Sequence, residues 1–388
     1  MDTYSIQFYD LLSRALGPGE SIQTFLDNTM ALKYNRLQLD GFTFEPFMQT
    51  DFAYEQIVSE LAINPVAQYY DLDSPALPDA PNGIKSFTGK IPRMKKVEYF
   101  NEDKMRKMRL IEDRRSTSAS QIAEIAYQQL FISVDSLIGG HTNALTYQRH
   151  QAVSTGKFTI SATNNPKGVK NITLDYHVPA ANKTTLTSSA RWWTSSTHTT
   201  ANEGANSNPV KDLEDVVAKA RYAGIRGHFE VEIDYLKECL GHSKVLSLIG
   251  ISALPASDGN AQVAYAGILS FEQKRSALEQ LIGAPIKAID SLVPIESIDK
   301  SEKAMVRSNV NAFEKDVWVF VPDGEIGVVK TVEPIAIDGG QYGSFYGGRL
   351  LMTVGVDFVK KCQSFNTEMT SLAIPSVPQY MWYLYPNA

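Results

Sequence analysis

The stretch from residue 117 to Gly156 constrains this fold more than any other part of the chain. Ile122, Ala126, Leu130 and Val134 recur every four residues, and Ile125, Leu137 and Ile138 widen the stripe. That spacing marks one face of an α-helix. Leu145 and Ala152 carry it on to Gly156, read as the glycine that ends the helix. A helix of about 35 residues is about 50 Å long, more than a compact domain needs, and points to a flat or elongated molecule. Gly139-Gly140 sits in its middle and predicts a kink or a break.

The 388 residues allow two or three domains, or one elaborated one. Residues 1–40 read as an arm, with Ile6, Tyr9 and Leu12 on one short helix face before Gly17-Pro18-Gly19. Residues 41–112 look extended, with prolines at 46, 65, 75, 78, 81 and 92 and loop chemistry over 71–83. After Gly156, residues 157–162 and 172–179 alternate as strands around an Asn164-Asn165-Pro166-Lys167-Gly168 turn. The Ser/Thr-rich stretch 181–209 reads as loop, yet Trp192-Trp193 inside it demands burial.

From residue 209 helices and strands alternate. Asn208 caps and Pro209 opens a helix that buries Val210, Leu213, Val217 and Ala220 and stops at Gly224. His228 to Ile233 reads as a strand, Asp234 to Leu240 as a helix, and Ser270 with Gln273 as a capping box for a helix ending at Gly283. Pro322-Asp323-Gly324 predicts a hairpin between Trp318–Val321 and Ile326–Val329. Glycine-rich 339–348 suggests backbone flexibility or tight strand packing. Residues 350–359 and 380–385 read as strands. The fold class is α+β.

Charge and cysteine usage exclude several functions. A net charge of −6 excludes a uniformly basic nucleic-acid binder. Two cysteines, Cys239 and Cys362, exclude a disulfide framework and a zinc ribbon. No stretch approaches 18 apolar residues, and the N-terminal segment lacks a basic region followed by an apolar one. The expectation is a soluble protein of a reducing compartment, away from membranes. Against the acidic whole, residues 85–115 hold eleven Lys/Arg and five Asp/Glu. Such a block suits an anionic partner, either the acidic surface of a neighbouring copy or a nucleic acid, or else forms a solvated mixed-charge face.

Motifs for chemistry are weak. Ser154-Thr-Gly-Lys157 matches S-x-x-K but lies at a helix end, and Gly241-His-Ser243 lacks the final glycine of a nucleophile elbow. Cys239 and His242 lack further zinc ligands nearby, and the other histidines (141, 150, 177, 198) show no paired spacing. His228, Glu230 and Glu232 share one strand face, which fits the wet side of an edge strand better than a metal site. No catalytic residue, cofactor or metal is expected.

Several segments in order carry a family resemblance. They are Phe87-Thr-Gly-Lys-Ile-Pro92 with the charged stretch after it, Gln148-Arg149-His-Gln151-Ala152-Val153 running to Gly156-Lys157, and Ile172-Thr-Leu-Asp-Tyr followed by Trp193. Val321-Pro-Asp-Gly-Glu-Ile-Gly327, Tyr346-Gly347 and Ile374-Pro-Ser-Val-Pro complete the series. Together they resemble the tailed-bacteriophage major capsid proteins of the Hong Kong 97-like fold, lambda-type major head protein branch. Thr146 departs from the acid usual before the Arg-x-Gln-Ala stretch, and residues 255–316 carry a charged helix without a counterpart.

The resemblance implies an N-terminal arm (1–40), an extended loop (41–105), a peripheral domain with the long spine helix (106–208 and 343–372) and an axial domain (209–342 and 373–388). It implies a non-enzymatic subunit forming hexamers and pentamers of an icosahedral head around double-stranded DNA held without sequence specificity. Assembly in the host bacterial cytoplasm follows, with scaffold, portal and decoration proteins as further partners and the virion as destination. Arg93, Lys95, Lys96, Arg106 and Lys107 of the basic block become the expected inter-subunit contacts. The alternatives are an encapsulin-type nanocompartment shell and an unrelated α+β enzyme.

Overall fold

The computed structural model describes residues 39–59, 84–100, 103, 106, 119–162, 164–165, 172–253, 258–298, 305–335, 341–357 and 362–387. Most of the expected arm and the 71–83 loop lie outside them. The chain divides into two compact units. One comprises 1–54, 90–146 and 329–373, and the other 55–89, 147–328 and 374–388.

Helix α1 (Ala119–Thr155) is a single uninterrupted element. The expected break at Gly139-Gly140 does not occur. At Gly140 the bare backbone makes room for a neighbour, because a Cβ there would sit 2.8 Å from Lys96 Cδ. Lys96 lies along that gap and donates from Nζ to Ser136 O at 2.7 Å. Gly156 ends the helix as expected, with φ +69° and its N–H bonded to Ala152 O.

In the first unit, β1 (Phe42–Phe44) and β4 (Arg93–Phe100) join a sheet with β13 (Gly327–Val332), β14 (Gln341–Phe345), β15 (Leu350–Asp357) and β16 (Cys362–Pro375). The order is β1-β13-β16-β15-β14, with β4 also paired to β16. β2 (Ala53–Ser59) and β3 (Ile84–Lys90), whose residues fall mostly in the second unit, make a separate pair. Burial on β16 alternates with period two. Phe365, Thr367 and Met369 are buried, whereas Ser364, Asn366 and Glu368 are only partly so. Leu137, Ile138 and Leu145 of α1 are buried too, and His141 Nε2 meets Thr367 Oγ1 at 3.0 Å. Within the glycine-rich segment, Gln341–Phe345 form β14 and the turn into β15 follows, where Tyr346, Gly347 and Gly348 all adopt positive φ.

The second unit centres on a five-stranded sheet. β7 (Lys183–Thr185), β8 (Gly227–Glu232), β9 (Ile286–Ile289), β12 (Trp318–Pro322) and β17 (Trp382–Tyr385) take the order β7-β17-β12-β8-β9. β5 (Lys157–Ile160) pairs with β6 (Ile172–Asp175), as their alternation predicted, and β10 (Leu292–Ile298) pairs with β11 (Met305–Asn311). Five helices accompany the sheet: α2 (Pro209–Tyr222), α3 (Ile233–Leu240), α4 (Ser243–Ala253), α5 (Gly259–Ile268) and α6 (Phe271–Ile282). The caps read from sequence hold. Asn208 accepts from Lys211 N, Ser270 and Gln273 form a capping box, and Gly283 is left-handed. Trp192 and Trp193 are buried, and Trp192 meets Trp318 edge-on at 5.9 Å within a core that includes Phe229, Phe320 and Trp382.

Two expectations fail here. Pro322-Asp323-Gly324 does not make a hairpin, because both edges of β12 are taken by β8 and β17, and β13 joins the other sheet. Nor is β8 an edge strand with a wet face. It lies between β12 and β9, and Glu230 and Glu232 are buried.

Helix α1 yields a paired prediction. Nothing lies within 4 Å of a Cβ placed at Gly139. Gly139→Ala should therefore stabilise the subunit by up to about 1 kcal/mol through helix propensity. Gly140→Ala should gain less or lose stability, because Lys96 must retract. Urea denaturation of both variants checks the difference.

Candidate functional site

The basic strand β4 is the first candidate surface. Its odd-numbered residues, Arg93, Lys95, Val97 and Tyr99, share one exposed face, as the pleat requires. Register sets Lys95 opposite Glu368 and Arg93 opposite Thr370. Glu368 gathers both cations, at 2.7 Å from Arg93 Nη2 and 3.3 Å from Lys95 Nζ. The Arg93 guanidinium also lies 5.7 Å from the centre of the Phe52 ring. Side chains 45% and 55% exposed make these surface ion pairs, each worth at most about 1 kcal/mol. Lys96 points to the opposite face, at Ser136. Arg106 is exposed, and Lys107 lies outside the described residues. The structure therefore brings Arg93 and Lys95 together around one acid and separates Lys96 from them.

The second candidate is a buried charge cluster that spacing alone did not reveal. Arg149, near the end of α1, donates through both Nη atoms to Glu230 on β8, at 2.6 and 2.5 Å. Their side chains are 1% and 0% exposed. Lys287 Nζ on β9 stands 3.3 Å from Glu230 Oε1, and His228 Nε2 stands 3.7 Å from it. Burial alone would raise the Glu230 pKa, but the nearby His228 ring and the Arg149 guanidinium overcome it and hold the carboxyl at about 2. His150 is pushed down to about 4, first by burial and then by Arg149. Glu232 faces elsewhere, accepting from Tyr235 N at 2.7 Å and from Asn311 Nδ2 at 3.1 Å. The strand's acids therefore neutralise cations and cap α3 rather than converge on a metal. A readable signal did exist: Arg149 falls four residues after Leu145 and four before Val153, on the helix's apolar stripe.

A third arrangement imitates a catalytic triad. Ser207 Oγ lies 3.1 Å from His242 Nε2, and Glu203 Oε2 lies 3.9 Å from His242 Nδ1. Hydrogen-bond direction disqualifies it. Lys244 N–H donates to Nδ1 at 3.1 Å, so the ring proton sits on Nε2 and points at Ser207. Ser207 in turn donates to Gly204 O at 2.7 Å. The imidazole has no lone pair facing the hydroxyl and cannot act as its base. Glu203 is instead tied to Ser243, through the Ser243 N–H at 2.7 Å and the hydroxyl. Lys157 of the S-x-x-K match pairs with Asp175 at 2.8 Å, and Cys239 is buried with its thiol pKa pushed up by burial.

The ion pair sets a stability prediction. Glu230→Gln should cost about 3–5 kcal/mol by stranding Arg149, whereas Arg149→Met with Glu230→Leu should restore most of it. The sign with pH follows from a carboxyl held below its ordinary value of 4.5. Its contribution is full above that pH and is lost as pH falls toward about 2. Urea unfolding of wild type and double variant between these values should show a flatter acid limb in the variant.

Comparison with known proteins completes the description. Residues 28–228, just over half the chain, match the family described as phage major capsid protein E. The crystal structure of the putative capsid protein of prophage (E. coli CFT073) shares the fold at TM-score 0.50 and 10% identity, covering 99% of each chain. A phage-related protein from Bordetella bronchiseptica RB50 aligns over 97% of this chain and 96% of its own, with TM-score 0.45 and 13% identity. No curated protein matches the chain.

Proposed function

This chain belongs to the phage major capsid protein E family, and from that premise we propose that its copies close into the hexamers and pentamers of an icosahedral head. The protein is a major capsid protein of a tailed phage, a structural subunit with a phage capsid fold. In our reading the shell encloses double-stranded DNA, and the subunit does its work without catalysis. The observation that carries the reading is the family match across residues 28–228.

Surface chemistry supports it. Phe47, Tyr222, Ile268 and Ile335 are 84%, 88%, 82% and 81% exposed in the single chain. Large apolar side chains left open in this way suit a subunit that buries them against its own copies. Heterologous contacts that close on themselves make rings. In this proposal residues 1–40 are an arm and 41–105 an extended loop across a neighbour. Residues 106–208 with 343–372 are the peripheral domain, and 209–342 with 373–388 the axial domain. Arg93 and Lys95 then serve the lattice, because ion pairs this exposed add little to the subunit's own stability. The net charge of −6 suits a container that holds DNA without gripping its phosphates.

Electron microscopy of the expressed protein after size-exclusion chromatography tests the reading. Closed shells, tubes or capsomer rings containing nucleic acid are expected, whereas shells filled with protein cargo would favour a nanocompartment. Arg93→Glu with Lys95→Glu should cut particle yield at least about tenfold, a change of about 1.4 kcal/mol per contact set, with unchanged circular dichroism. Normal particles from that variant would remove the assembly role from β4.

A further inference from the structure

We propose that His198, Glu238 and Asp316 form a site for one borderline divalent metal ion of the zinc class. The three residues come from separate segments: the loop after β7, helix α3 and the turn before β12. One donor atom from each lies within 4.8 Å of the others. His198 Nδ1 stands 2.6 Å from Glu238 Oε2 and 3.9 Å from Asp316 Oδ1. Bonds of about 2.0–2.2 Å to a tetrahedral ion place its donors about 3.4 Å apart, so the His198–Glu238 pair opens and the His198–Asp316 pair closes by under about 1 Å each, and the two carboxylates start within 4.8 Å of each other. An imidazole with two carboxylates is a donor set that suits zinc and its neighbours.

Two features mark the cluster as more than a chance gathering of acids. Asp316 Oδ1 is buried and accepts no hydrogen bond. A buried acceptor atom whose facing imidazole nitrogen stands 3.9 Å away, beyond hydrogen-bond reach, is an arrangement that a closer cation relieves. The His198 ring is held in place, with its side chain 3% exposed and stacked on Trp193 at 4.5 Å and 19°. Burial raises the Asp316 pKa, although the nearby His198 and Lys315 oppose it and Glu238 adds only a smaller push.

The surrounding groups set the terms of binding. Lys315 Nζ lies 3.3 Å from Glu238 Oε1, leaving Oε2 toward His198 while opposing a second positive charge. Asn387 Nδ2 approaches His198 Nε2 at 3.4 Å and Tyr235 Oη at 3.1 Å, and Asn387 Oδ1 accepts from Trp193 N at 3.3 Å. Nε2 is therefore the acceptor nitrogen, and Nδ1 carries the proton directed at Glu238. A metal on Nδ1 displaces that proton to Nε2, and because metal ligands bind deprotonated, affinity falls as pH falls. Turning the Asn387 carboxamide over would give the new Nε2–H an acceptor, at the expense of the bond from Trp193.

Calorimetric titration of the chelator-stripped full-length chain with zinc chloride tests this, with the visible spectrum of added cobalt(II) as a second readout. One ion per subunit is expected at about micromolar affinity, weakening from about pH 7.5 to about 5.5. Asp316→Asn, nearly isosteric at a half-exposed position, should weaken binding at least about tenfold with an unchanged fold, and His198→Gln should abolish the cobalt bands. Lys315→Ala should tighten binding several-fold, which a nonspecific surface site would not show. No saturable binding at about 0.1 mM zinc by the folded protein, or binding unchanged in Asp316→Asn, would overturn the proposal. The titration needs no assembled shell, so its outcome is separate from that of the capsid reading.

Discussion

Arginine stays charged in proteins, and the guanidinium of Arg149 on helix α1 is buried. Such a group needs a partner that is ionised, close and planar, and Glu230 meets all three needs, taking one hydrogen bond from each Nη on each of its oxygens. The geometry leaves little freedom. A shift of one residue along β8 would turn Glu230 to the other face and strand the guanidinium. The pair therefore fixes how the last turns of α1 meet an interior strand of the second unit's sheet. Its net stabilisation is modest, because desolvation offsets most of the attraction, but breaking it is expensive.

β8 extends the same logic along its length. Glu230 also receives Lys287 from β9, and two residues later Glu232 caps α3 and holds Asn311 of β11. One strand thus uses two buried acids to position a long helix, a parallel neighbour, a short helix and a hairpin. The two buried histidines of α1 titrate in the same sense as Glu230. His141 and His150 are each pushed to about 4, mainly by burial, so both are neutral near pH 7. A histidine with lowered pKa supports the fold above its ordinary value of 6.5 and withdraws that support as pH falls toward 4. Acid weakens both units for this reason, with no single trigger.

The local signals in the chain were reliable where the physics is local. Asn208, Ser270 with Gln273, Gly156 and Gly283 act within a few residues, and each does in the structure what its type and position imply. The alternation at 157–162 and 172–179 gave a true pair, β5 with β6. Gly139-Gly140 misled because glycine weakens a helix only when nothing else favours it. Here the missing Cβ admits Lys96, a residue more than forty positions away. Pro322-Asp323-Gly324 misled for a related reason: a turn sequence bends the chain but does not choose the strands it joins. The pair of helices α4 and α5 and the β10–β11 hairpin were not anticipated, since short apolar runs fit helix and strand equally well.

The candidate sites divide along the same line. By itself the sequence determined the α+β class, the long helix and its end, the major caps, the basic character of residues 85–115 and the resemblance to phage capsid subunits, because each depends on neighbours within one element or on segment order. Only the tertiary structure decided that β8 is an interior strand, that Arg149 meets Glu230 across 81 positions, that Glu368 gathers Arg93 and Lys95, and that His198, Glu238 and Asp316 converge. Those facts rest on strand order and on which loops share an end of a sheet. No pairwise spacing encodes either, since burial and desolvation act on distance in space rather than on distance along the chain.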